Sequence, residues 1–221
     1  MNEIKVLIAD DHYIVRLGLK TLINSYGRYK VLIDTSNGKE VLNYLSLIDL
    51  FILDLEMPII NGVEVLEIIK RKYPEKKVIL LTNCMHIPTL IKAKKLKPNG
   101  FLFKDGMHEE IKTCMDQVLK GNFYQGKSCL HFFSLHQEEI KTLENLIENL
   151  QTLTKSELKV LVKISENLST SEIAELLYNS PKTIDNHRTN IAKKLDITGY
   201  NNLQAMAITN KILISSLCKN S

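Results

Sequence analysis

Over the first 120 residues, short apolar runs alternate with segments of helical spacing, and this limits the fold more than any other feature of the chain. The runs are 4–9, 30–35, 50–53, 78–81 and 101–103. Apolar residues recur at helical intervals over roughly 12–25, 37–48, 62–73, 86–96 and 107–120. Runs without strict alternation fit strands buried on both faces. Five strands, each followed by a helix, predict a doubly wound α/β domain on a five-stranded parallel sheet. Glycines 38, 62, 100 and 106 and prolines 58, 74 and 98 fall at the expected element ends.

After Gly121 the pattern changes. Residues 122–133 show no clear period. From Ser134 a helix is predicted, with Ser134 as N-cap, Gln137 completing a capping box, and Ile140, Leu143, Ile147 and Leu150 along one side. That stripe covers less than two heptads, so it fits either a linker helix packed on a domain or a short dimer seam. From Thr154 onward no strand signal remains, and four helices fit 155–167, 170–178, 181–195 and 200–216. Thr154 with Glu157, and Ser169 with Glu172, have capping-box spacing, and Ser180-Pro181 supplies an N-cap and a first-turn proline. The expected division is 1–121 for the α/β domain, 122–150 for a linker and 151–221 for an all-α domain.

Charge does not separate these segments. Residues 1–122 carry 18 Lys or Arg against 15 acids, residues 123–150 carry 2 against 4, and residues 151–221 carry 9 against 6. The net charge of +4 is compatible with nucleic acid binding without requiring it. Cys84, Cys114, Cys129 and Cys218 form no CxxC pair, so free thiols are expected rather than a zinc or redox motif. No stretch approaches the ~20 apolar residues of a membrane span, and the first residues lack a signal-peptide pattern. A cytoplasmic protein is expected.

Asp10 and Asp11 follow the first strand, and Asp54 follows the third. In an open parallel sheet, functional groups gather beyond the carboxyl ends of the strands. Three carboxylates there form a site for a hard divalent cation, and Mg²⁺ fits better than Ca²⁺, which wants more ligands. Thr82 and Lys104 end two further strands at the same edge. A hydroxyl and an ammonium beside such a cluster are what a phosphoryl group requires.

This set, together with Met57-Pro58, Gly62 and Phe101, resembles the receiver domain of two-component response regulators, a flavodoxin-like fold, over nearly all of residues 1–121. The resemblance implies that Asp54 is the phosphoacceptor, taking its phosphoryl group from a sensor histidine kinase. It implies Mg²⁺ held by Asp11, Asp54 and the backbone carbonyl of Glu56, with Asp10 acting through water. Thr82 and Lys104 would hold phosphoryl oxygens, and Phe101 would be the switch aromatic that turns inward as Thr82 moves toward phosphate. Two positions depart from the usual pattern: Asn83 stands where a small residue is common, and Asp105 where proline is common.

Residues 153–216 resemble the LuxR-type, or NarL/FixJ-type, helix-turn-helix. The match rests on Leu153-Thr154, Ser171-Glu172-Ile173-Ala174, Ser180-Pro181-Lys182-Thr183-Ile184, His187, Ile191 and Lys194-Leu195. On helix 181–195, Ile184, His187, Ile191 and Leu195 form an inward stripe, with His187 open to a packing or a DNA role. The opposite face is polar, and residues 182–194 hold four Lys or Arg and one Asp. The resemblance places Asp185, Asn186 and Thr189 toward bases, and Lys182, Thr183, Arg188, Lys193 and Lys194 toward phosphates. It also implies double-stranded promoter DNA as partner and a homodimer on phosphorylation, with the last helix at the dimer contact.

The leading reading is therefore a phosphorylation-controlled transcription regulator that is not an enzyme beyond self-catalysed phosphotransfer. A haloacid-dehalogenase-type phosphohydrolase would want Asp-x-Asp, whereas the chain has Asp54-Leu55-Glu56. A DNA-binding protein whose receiver answers to a partner or ligand instead of phosphate is the third class, kept open by Asn83.

Overall fold

The computed structural model describes residues 3–219, apart from the side chains of Tyr200 and residues 216–219. The five apolar runs are strands β1 (Ile4–Ala9), β2 (Tyr29–Thr35), β3 (Leu50–Leu53), β4 (Lys77–Thr82) and β5 (Gly100–Phe103). All pair in parallel, in the order β2-β1-β3-β4-β5, and a sixth strand β6 (Tyr124–Gln125) extends the sheet beyond β5. The sheet therefore has six strands, not five. With only two residues, β6 is too short to leave a period in the sequence.

The helices are α1 (Tyr13–Asn24), α2 (Gly38–Val41, followed by a 3₁₀ turn), α3 (Gly62–Lys72), α4 (Ile87–Lys95) and α5 (Met107–Leu119). Two cores lie on opposite faces of the sheet. Leu7, Phe51, Leu53, Leu66, Leu80, Leu90 and Phe101 belong to one; Val6, Ile8, Ile52, Ile79, Leu102, Ile111 and Met115 belong to the other. Each fully buried side chain of this size contributes roughly 1.5–3 kcal/mol. Neighbouring strand residues feed opposite cores, which is why the runs are apolar throughout.

The aperiodic stretch 122–133 holds β6 and most of α6 (Lys127–Leu135). The inward stripe of α6, Cys129 with Phe132 and Phe133, is short, and the exposed Leu130 and Leu135 beside it blur the period. Cys129 is buried, and Phe132 and Phe133 pack against the first core. Ser134 lies inside α6 and is not an N-cap; the break falls at His136, and α7 (Gln137–Gln151) follows. Leu146 and Leu150 of α7 join the C-terminal core.

The chain divides into two compact units, Met1–Ile140 and Lys141–Ser221. The second contains α8 (Lys155–Ser165), α9 (Thr170–Leu176), α10 (Pro181–Lys194), α11 (Tyr200–Thr209) and α12 (Lys211–Lys219). The caps form as the spacing predicts: Thr154 with Glu157 and Ser169 with Glu172 make full capping boxes, and Ser180 accepts from the Thr183 N–H. The last predicted helix is two helices, because Asn210 ends α11 and its side-chain amide donates back to the Met206 carbonyl at 2.9 Å. Cys84, Cys114 and Cys129 are buried free thiols, and the Cys218 side chain lies outside the described residues. No helix is long and apolar enough to cross a membrane, among the described residues.

Gly62 fixes the loop behind Asp54. Its N–H donates to the Leu55 carbonyl at 3.1 Å, and a Cβ there would stand 1.9 Å from the Asp54 carbonyl oxygen. Gly62→Ala should destabilise the N-terminal unit by about 2–3 kcal/mol, as overpacking against backbone does. Urea unfolding followed in that unit checks this; a loss below about 0.5 kcal/mol would contradict it.

Candidate functional site

Strands β1, β3, β4 and β5 are adjacent and parallel, so their final residues emerge side by side. Backbone bonds continue the sheet by one residue: the Asp54 N–H donates to Ala9 O at 2.8 Å, and the Lys104 N–H to Thr82 O at 3.0 Å. Asp10, Asp54, Thr82 and Lys104 are thereby held by sheet geometry rather than by a mobile loop. The Lys104 ammonium lies 2.7 Å from Asp10 Oδ2 and 2.7 Å from Asp54 Oδ2. The second oxygens are also engaged. Asp54 Oδ1 accepts from the Glu56 N–H at 3.3 Å, and Asp10 Oδ1 from the His12 N–H at 2.9 Å.

A cavity of about 230 Å³ opens over Asp54, lined also by Asp11, His12, Glu56, Asn83 and Lys104. Ligand atoms of Asp10, Asp11, His12 and Asp54 lie within 4.8 Å of one another. This oxygen-rich set fits a hard divalent cation. His12, not singled out from the sequence, places Nδ1 2.7 Å from Asp11 Oδ1. Its signal was its place directly after the acid pair, where helix α1 begins.

Thr82 is fully buried, and its hydroxyl oxygen accepts from the Cys84 N–H at 2.9 Å, leaving the O–H proton free to donate. Phe101 is already inward. Its ring meets Phe103 and Phe133 edge-to-face at 6.4 and 6.0 Å. Phe133, which the aperiodic stretch concealed, thus touches the expected switch residue.

Burial pushes the Asp54 carboxyl above the ordinary aspartate value; Lys104 and the Glu56 N–H offset this only in part, and the Asp10 charge adds to it. Burial alone would lower the Lys104 ammonium, but Asp10 and Asp54 outweigh it and hold Lys104 above the ordinary lysine value.

In the second unit, α10 buries Ile184, Arg188 and Ile191, and Leu195 just after it is buried too. Arg188 was expected among the phosphate contacts, yet it sits one turn beyond Ile184, and the helical period turns it inward. His187 is half-buried. Lys194, also expected at phosphate, is tied to Glu157 Oε2 at 2.7 Å. Lys182, Asp185, Asn186, Thr189 and Lys193 are exposed, and Thr183 is half-buried. Asp185 accepts from the Thr170 hydroxyl at 3.2 Å.

Comparison with known proteins finds the same two parts. Residues 6–116 match the response regulator receiver domain, and residues 151–207 match the bacterial regulatory proteins of the luxR family. This chain is a response regulator of the NarL/FixJ family.

The response regulator is 31% identical over 212 residues to the transcriptional regulatory protein YdfI of Bacillus subtilis (strain 168), covering 95% of this chain and 97% of that protein. It is 28% identical over 207 residues to the response regulator UvrY of Escherichia coli (strain K12), covering 93% and 94%. Its fold is similar to RcsB from Salmonella enterica serovar Typhimurium, solved bound to promoter P1flhDC in the presence of phosphomimetic BeF3-. There the TM-score is 0.60 and the identity 25%, over 92% of this chain and 97% of that one.

The shared ammonium generates a prediction. Lys104 has its value raised by folding, so its contribution is complete below the ordinary lysine value and fades as pH rises through the raised one. Asp54 also has a raised value, so its charge costs stability above that value and the cost vanishes as pH falls through it. Lys104→Met leaves two buried carboxylates uncompensated and should cost the N-terminal unit roughly 3 kcal/mol near neutral pH. Urea melts at about pH 8 and about pH 5 should show a smaller deficit at the lower pH; an equal deficit at both would contradict the account.

Proposed function

We propose that this response regulator accepts a phosphoryl group on Asp54 from the phosphohistidine of a sensor kinase, and in that state dimerises and binds promoter DNA to control transcription. An Asp54 carboxylate oxygen forms the new O–P bond; the P–N bond to the donor imidazole breaks, and its electron pair stays with the imidazole nitrogen. Lys104, held at the rim by two carboxylates, is placed to exchange its bond to Asp54 for one to a phosphoryl oxygen. Thr82 has a hydroxyl proton to donate to another. Asp11, Asp54 and the Glu56 carbonyl would hold Mg²⁺, with Asp10 acting through water; bound there, the ion would neutralise phosphoryl charge. Asn83 lines the cavity and is assigned control of donor access and of acyl-phosphate lifetime.

Phosphate favours one of two existing arrangements through contacts made only there. Thr82 and Phe101 are assigned the switch. With Phe133 against Phe101, α6 is the element that feels a change at β5. The exposed face of α10 is assigned to DNA, with Asp185, Asn186 and Thr189 toward bases and Lys182, Thr183 and Lys193 toward phosphates. The working division is 1–121 for the receiver, 122–150 for the connector and 151–221 for DNA binding. The protein acts in the cytoplasm, apart from the membrane, and its only chemistry is on itself.

The observation that carries this reading is Lys104, in the cavity lining, bridging Asp10 and Asp54. With a small phosphodonor, wild type should gain about tenfold in promoter affinity, within the usual 1–3 kcal/mol of coupling between sites, and shift toward dimer in light scattering. Asp54→Ala should do neither. Equal binding by phosphorylated and unphosphorylated wild type would refute the switch.

A further inference from the structure

The mild charge of the receiver hides a strong separation. Residues 70–97 hold nine Lys or Arg and a single acid, Glu75, while the rest of residues 1–122 holds nine cations against fourteen acids. The parallel sheet makes this separation spatial. Strand ends and helix starts share the edge that carries the acidic cavity, and strand starts and helix ends share the opposite edge. Lys70, Arg71 and Lys72 close α3, and Lys92, Lys94 and Lys95 close α4. Lys76 precedes β4, Lys77 opens it, and Lys97 sits in the turn before β5. A 2.8 Å hydrogen bond from Lys70 Nζ to Asn99 Oδ1 joins the end of α3 to the start of β5.

None of these nine cations forms an ion pair among the described residues. Of the other nine, Arg16, Lys20, Arg28, Lys30, Lys104 and Lys112 do. Burial first, and then the nearby Lys77 charge, push the Lys70 ammonium below the ordinary lysine value. The helix dipoles account for lysines in the last turns of α3 and α4. They do not account for Lys76, Lys77 or Lys97, which lie outside helices. Arg71, Lys72, Lys92, Lys95 and Lys97 are exposed.

Uncompensated like charge on one edge fits a polyanion. On α10, by contrast, Arg188 is buried and Lys194 is held by Glu157, leaving Lys182 and Lys193 as its exposed cations outside ion pairs. Phosphate contact drives most of the affinity of DNA-binding proteins, and this helix is poorly supplied for it. Given the promoter binding proposed above, we infer that the basic edge formed by the ends of α3 and α4 is a second DNA contact, one that grips the phosphate backbone without reading sequence.

The test uses the full-length protein and a double-stranded DNA of random sequence, with binding followed across a salt titration. K92Q/K95Q/K97Q should lower the slope of log K against log salt by about 2–3, at ~0.9 for each phosphate left unneutralised, and should weaken binding about tenfold or more at low salt. K20Q/K39Q/K112Q removes the same formal charge elsewhere on the receiver and should leave the slope nearly unchanged. Circular dichroism melts and phosphorylation stoichiometry confirm that both variants are intact. An unchanged slope in K92Q/K95Q/K97Q would overturn the inference and leave the promoter reading standing. An equal drop in both variants would also overturn it, as an effect of net charge alone. Weaker binding to phosphatidylglycerol vesicles with unchanged DNA binding would assign the edge to lipid instead. Failure of wild type to bind any DNA would remove the promoter reading itself.

Discussion

One ammonium held between two buried carboxylates organises the N-terminal unit. Lys104 spans Asp10 and Asp54 at 2.7 Å each, and the three groups come from the ends of β5, β1 and β3. Two negative charges against one positive leave the cluster under-compensated, and burial sharpens the deficit. Such a site favours whatever restores its charge balance: a divalent cation or a proton. In the proposed function, phosphorylation would add negative charge at Asp54, and the phosphoryl oxygens would compete with Asp10 for the same ammonium.

A short chain of packed rings leads outward from this pocket. Lys104 follows β5, whose Phe101 is packed against Phe103 and, from α6, Phe133. Phe132 meets Phe103 in the same way at 5.5 Å, and Lys94 of α4 lies over the Phe133 ring at 4.7 Å. A displacement of β5 by a few tenths of an ångström is felt by these rings at once, because close-packed aromatic edges do not deform continuously. The connector thus begins with a helix packed against the strand that carries Phe101.

The sequence displayed the receiver sheet because strands buried on both faces have an unmistakable composition. It displayed the pocket because Asp10, Asp54, Thr82 and Lys104 each end a strand, so their convergence follows from parallel topology alone. What it concealed has physical causes. A two-residue β6 carries no period, and the short stripe of α6 is blurred by the exposed Leu130 and Leu135, so residues 122–133 looked featureless although they hold Phe132 and Phe133. Arg188 was expected at phosphate from the resemblance, yet its position in the helical repeat buries it. Lys194 was read the same way, but it completes the charge of Glu157, where it and the capping hydrogen bonds at Thr154 outweigh burial and hold the carboxyl below the ordinary glutamate value. The resemblance named the candidates on α10, and only the packing distinguished exposed from engaged.

The central claim is that the pocket delivers a phosphoryl group to one carboxylate. The direct measurement is to incubate the full-length protein with Mg²⁺ and a small phosphodonor, reduce the product with borohydride, and locate the reduced residue by mass spectrometry. The account predicts conversion of Asp54 to homoserine, with Asp10 and Asp11 unchanged. Reduction at another residue, or an acid-stable phosphate on a hydroxyl, would contradict it.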